Sequence, residues 1–144
     1  MIVRHATVDD APAMGAVMVE SFLAAHKEHY PIDLWQKRVD EWTPAVSAAA
    51  WADNLREFAT IQAAGKAPDF CLYVAMDEAN TLVGLVYGYA QNRDASVKTG
   101  IGEIGALYVK PSAQGRGVGR QLVHAAAAYL TQKGNIMAIK RRTQ

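Results

Sequence analysis

The sequence predicts an α/β (α+β) fold, helices packed on one central sheet, and three observations carry that expectation. Helically spaced apolar residues alternate with short β-type runs in the order β-α-α-β-β-β-α-β. A length of 144 residues allows one domain, 1–144, and no linker or internal repeat divides it. With 51% apolar and 20% charged residues, the composition is that of a globular core rather than a disordered tail.

The elements follow in order. Ile2 to Arg4 reads as a first strand, and Asp9 or Asp10 can cap a helix whose first turn tolerates Pro12. Met14, Val17, Met18, Phe22 and Ala25 then recur at helical spacing. Residues 33–65 read as a helical arm broken near Thr43, where Thr43-Pro44 places an N-cap before a proline at N1, and Gly65 stops it. Leu72 to Met76 and Thr81 to Ala90 form a hairpin across the turn Asp77 to Asn80. Gly84 and Gly88 in its second strand imply a bend or a close neighbour. Polar residues 91–99 form a connection, and Ile104 to Val109 reads as the next strand, closed by Pro111. A helix runs through Leu122, Val123, Ala126, Tyr129 and Leu130 to Gly134, and Ile136 to Ile139 reads as a short last strand.

Composition also bounds the function. One cysteine, Cys71, excludes an internal disulfide framework and a cysteine-rich zinc site, and fits a reducing cytosol. The start, MIVRHATVDD, carries acids where a signal peptide needs apolar residues, and no apolar run spans a bilayer. A cytoplasmic protein without membrane attachment is expected. The formal net charge of +1 conceals a split: residues 1–103 carry −6, and residues 104–144 hold no acid and carry +7. That second part is expected to face something anionic.

The chemistry concentrates in Leu107-Tyr-Val-Lys-Pro-Ser-Ala-Gln-Gly-Arg-Gly-Val-Gly-Arg-Gln-Leu122, a strand, a proline stop, a glycine loop and a helix. A helix N-terminus leaves about four N–H groups unpaired and a partial positive charge, which a Ser, Thr, Asp or Asn side chain commonly meets. Here Gly115, Gly117 and Gly119 withhold side chains, and Arg116 and Arg120 add positive charge. Such an end suits phosphate oxygens. The plain alternative is a tight turn with its arginines in water. A Walker loop is excluded because no Gly-Lys-Ser/Thr occurs, and the dinucleotide fingerprint fails at Arg120 and lacks its later acid.

Gln114-Gly-Arg-Gly-Val-Gly119, after the strand Glu103-Ile-Gly-Ala-Leu-Tyr-Val109, resembles the acetyl-CoA signature of the GNAT superfamily of N-acetyltransferases. The resemblance extends to the order of elements over nearly the whole chain and implies a mixed, mostly antiparallel sheet flanked by helices. It implies acetyl-CoA as co-substrate, with Gln114, Gly115, Arg116, Gly117, Val118, Gly119 and Arg120 around its pyrophosphate. Leu107, Tyr108 and Val109 would pair with the pantetheine arm and offer an N–H to the thioester oxygen. Transfer to an amine needs a base, since a protonated amine cannot attack. Glu103, six residues before Val109, stands where some family members carry a glutamate base; its plain alternative is a solvated strand-start acid.

The family usually continues past the last strand seen here with a further helix and two strands. The given sequence supplies no counterpart for them, nor for the tyrosine and asparagine often found there. A homodimer covering the open sheet edge is one expectation. His26 and His29 lack a third ligand, so no metal is expected. Tyr30, Trp35 and Trp42 fall where the family walls its acceptor pocket, but read equally as helix packing. His124 reads as a surface histidine and Cys71 as a small buried residue. The expectation is an N-acetyltransferase acting on a primary amine of a small molecule or peptide. A non-catalytic acyl-CoA-binding module is the alternative, and nucleic-acid binding ranks last for want of a recognition motif.

Overall fold

The computed structural model describes residues 1–90, 101–133 and 136–137. Its strands are β1 (Ile2–His5), β2 (Phe70–Met76), β3 (Leu82–Ala90), β4 (Ile101–Val109) and β5 (Ile136–Met137). Its helices are α1 (Ala11–His26), α2 (Ile32–Glu41), α3 (Pro44–Ala63) and α4 (Val118–Gln132). The strands lie side by side in chain order. Neighbours from β1 to β4 are antiparallel, while β5 runs parallel to β4. The described pairing of β5 reaches only Ile101 and Gly102.

Alternation along the strands sorts two cores. Leu72, Val74 and Leu85 face Met14 and Val17 of α1 and Trp51 and Leu55 of α3. Cys71, Ala75, Val86 and Ile104 face Leu122, Ala126 and Leu130 of α4 on the other side. The sequence's close neighbour for Gly84 and Gly88 is α4: a β-carbon would come within 3.0 Å of Leu122 at the first and 3.3 Å of Leu130 at the second. Truncating any of the fully buried leucines costs about 2–5 kcal/mol in such a core.

Helix starts differ from expectation at one point. Thr43 caps α3 as expected, its hydroxyl accepting from the Val46 N–H at 3.3 Å. Asp10 occupies the N-cap position of α1 but makes no cap bond. Its carboxylate instead takes Arg4 Nη1 and Nη2 at 2.8 and 2.9 Å and the Thr7 N–H at 2.8 Å. A paired guanidinium offers two charged donors in place of one amide, so the ion pair wins. It ties β1 to the start of α1 and holds the Asp10 carboxyl below its ordinary range.

The β3–β4 register shifts between Tyr87 and Gly88: Tyr87 faces Ala106 and Gly88 faces Ile104. Gly105 is the extra residue of a β-bulge. A β-carbon there would sit 2.5 Å from Tyr89 Cε1, so the Tyr89 ring lies over Gly105 only because no side chain stands beneath it.

Candidate cofactor and acyl-transfer site

The end of β4 and the start of α4 form one continuous cradle. Pro111 opens a single 3₁₀ turn to Ala113, and the chain then passes through two left-handed residues, Gly115 and Gly117, both at φ +80°. Those angles favour glycine. Gly117 is the N-cap of α4 and no side chain caps it. Among the described residues, a β-carbon at Gly115 or Gly117 would meet nothing within 4 Å. The uncapped start of α4 therefore borders a free volume with the positive end of the helix dipole behind it.

That volume is a cleft of about 500 Å³. Leu107, Tyr108 and Val109 supply one wall, and Gln114, Gly115, Gly117, Val118 and Gly119 supply a second. These eight residues were expected from the sequence, and the fold brings them together. Val118 is 3% exposed with its side chain in the α4 core, which leaves its backbone for the cleft. Arg116 and Arg120 are exposed and lie outside the lining.

The third wall was not read from the sequence. Ser21 and Ala25, one turn apart on α1, face the strand end across the cleft. The Ser21 hydroxyl donates to the Val109 carbonyl at 3.0 Å, and Gln114 Nε2 donates to the same oxygen at 3.2 Å. Small residues at i and i+4 were the available signal, and they carry no chemistry by themselves.

Glu103 lies outside the cleft lining, toward the opposite end of β4. It is half-buried and faces Tyr89 across the ladder, whose hydroxyl donates to Oε2 at 2.9 Å. Tyr89 continues a row of rings through Tyr87 to Trp51, with centroids 5.4 and 6.2 Å apart.

The remaining candidates separate from the site. Cys71 is fully buried, and desolvation pushes its thiol up to about 12, which makes it a poor nucleophile. His26 ends α1 and His29 lies in the following 3₁₀ turn, their rings 6.4 Å apart. Phe22 and Trp42 meet edge to face at 4.4 Å, with the Arg38 guanidinium 5.4 and 5.1 Å from their rings. Tyr30 and Trp35 contact one another at 5.7 Å. This group packs α1 and α2 together and lies outside the cleft lining. Lys133 pairs with Asp69 at 3.1 Å, while Lys140, Arg141 and Arg142 lie outside the described residues. Among the described residues no helix is long and apolar enough to cross a membrane.

A central sheet whose fourth strand runs through a glycine loop into an uncapped helix defines an α/β protein built to hold a phosphate-bearing cofactor. A model of the acetyltransferase (GNAT) family matches residues 23–143, and the chain belongs to that family. It is an acyltransferase whose co-substrate is that of the family, acetyl-CoA. The cleft suits that group, joining an uncapped helix start to a strand edge. No curated protein sequence matches the chain.

Solved structures share the fold at low identity. The PaiA N-acetyltransferase of Thermoplasma acidophilum, in complex with coenzyme A, superposes with a TM-score of 0.70 at 17% identity, over 99% of this chain and 80% of that one. AAC(6')-Iy, in complex with the bisubstrate analogue CoA-S-monomethyl-acetylneamine, gives 0.62 at 14% over 99% and 80%. An acetyltransferase from Vibrio fischeri gives 0.59 at 20% over 96% and 94%.

Proposed function

We propose that the chain, acting as one domain, is an N-acetyltransferase that moves the acetyl group of acetyl-CoA directly to a primary amine of a small molecule or peptide. The observation that carries this reading is the cleft in which Gly115, Gly117, Val118 and Gly119, at the uncapped start of α4, meet the end of β4. In this reading the loop amides hold the pyrophosphate, with Arg116 and Arg120 adding positive field from outside the lining. Leu107, Tyr108 and Val109 pair with the pantetheine arm, and a backbone N–H there steadies the developing oxyanion. Acetyl-CoA supplies the activated acyl group.

Glu103 is the base of this reading. At about 3.3 Å per residue, four residues of bulged strand put it roughly 10 Å from the Leu107 edge. A proton therefore passes from the amine to the carboxylate through water. Tyr89 and Tyr87 flank the approach, and aromatic faces beside a carboxylate suit a cationic amine. The buried lone thiol of Cys71 fits a reducing compartment, and the reading places the protein in the cytoplasm.

Calorimetric titration of acetyl-CoA, with NAD as control, is the first test, followed by a screen of primary amines for thiol release. Micromolar binding of acetyl-CoA alone, with transfer to an amine, supports the enzyme. Binding without transfer favours a non-catalytic acyl-CoA module, and no binding overturns both.

A further inference from the structure

The strand end that faces the cleft is closed at one oxygen. The Lys110 N–H donates to the Val83 carbonyl at 2.8 Å, and Val109 and Tyr108 lie opposite Gly84 and Leu85. In an antiparallel ladder successive residues alternate in direction, so the peptide groups of Tyr108 and Lys110 point to β3 while those of Leu107 and Val109 point away, to the outer edge. A ligand laid along that edge meets the Leu107 N–H, the Leu107 carbonyl and the Val109 N–H. The next group, the Val109 carbonyl, receives both Ser21 Oγ at 3.0 Å and Gln114 Nε2 at 3.2 Å. A carbonyl oxygen has two lone pairs, and both are engaged.

We infer that Ser21 is a positioning residue for the cofactor, setting the register of the pantetheine arm; this rests on the reading of the cleft proposed above. By closing the Val109 carbonyl, Ser21 and Gln114 end the ladder after the Val109 N–H. An extended amide chain cannot slide one repeat further along β4 and must turn there toward the amides at Gly115 to Gly119. Ser21 does this from α1, which fixes the width between that helix and the strand. Ser21 is only 6% exposed, so water competes little for the bond.

The test compares coenzyme A with 3'-phosphoadenosine 5'-diphosphate, which has the nucleotide and pyrophosphate but no pantetheine. Ser21→Ala, which frees the arm to shift its register, is expected to weaken coenzyme A about 5–10-fold in calorimetry, a loss of preorganisation. It leaves the fragment, read by competition or ligand-observed NMR, within twofold of wild type. Ser21→Thr, which keeps the hydroxyl, restores coenzyme A affinity to within about threefold, and thermal unfolding of all three proteins checks the fold. Equal coenzyme A affinity in wild type and Ser21→Ala overturns the inference. So does an equal loss for both ligands, which marks general damage to the cleft. Wild-type protein that binds neither ligand overturns the proposed function itself, a distinct result.

Discussion

The phenolic hydroxyl of Tyr89 donates to Oε2 of Glu103 at 2.9 Å, across a register pair of β3 and β4. A hydrogen bond to a charged group is worth about 1.5–3 kcal/mol, enough to hold one carboxylate rotamer.

If Glu103 is the base, Glu103→Gln lowers the transfer rate about 10²–10⁴-fold and leaves acetyl-CoA affinity unchanged. Tyr89→Phe, which loses only the hydroxyl, lowers kcat by about tenfold and has no further effect in the Glu103→Gln background. Initial rates of thiol release with a primary amine, beside calorimetry, check both. Full activity in Glu103→Gln removes it as the base.

Gly105→Ala puts a methyl 2.5 Å from Tyr89 Cε1 and must displace the ring. Overpacking of this kind costs about 1–3 kcal/mol. The variant is therefore expected to be less stable to urea and at least as slow as Tyr89→Phe. Unchanged values for both would show that the ring is held elsewhere.

The loop glycines are not equivalent. Gly117→Asp forces a side chain onto φ +80°, at about 1–2 kcal/mol, and sets a negative charge beside the cradle. Acetyl-CoA binding is expected to fall at least about tenfold. In Gly119→Ala, by contrast, the added carbon meets Leu107 and Val109 at an ordinary 3.8 Å, inside a helix where alanine is favoured by up to about 1 kcal/mol. Its urea midpoint should equal or exceed that of wild type.

The Arg4–Asp10 pair sets an acid limit. Its hydrogen bond to Arg4 holds the Asp10 carboxyl below its ordinary 3.8. The unfolded chain thus binds the proton more readily, and the pair's stabilisation is complete above about pH 5. It is lost as pH falls from there through 3.8 and the lower folded value. Asp10→Asn should cost about 1–3 kcal/mol at neutral pH and flatten this limb in urea unfolding between pH 2 and 7.

Signals confined to short stretches were legible in the sequence. Thr43-Pro44 named its own cap, and the loop from Gln114 to Gly119 announced an uncapped helix start through its missing side chains. Asp10 misled because an arginine six residues earlier displaces the cap, a choice that composition does not reveal. Ser21 was silent because its partner is 88 residues away. Tyr89 was silent because a shifted register, not spacing, sets it opposite Glu103. The connection at 91–99 and the basic tail lie outside the described residues.

The extra residue at Gly105 changes the arithmetic of β4. In an unbroken strand, residues an odd number apart face opposite ways, so Glu103 and Tyr108 would look to different sides of the sheet. Both instead look to the side of α1 and α3, Glu103 beside Tyr89 and Tyr108 against the core there, while Ile104, Leu107 and Val109 look toward α4. Were Gly105 paired in the ladder like its neighbours, odd counting would hold and the carboxylate would face the side of α4. In the function proposed for this chain, the phase slip would let one strand carry both the base and the cofactor edge.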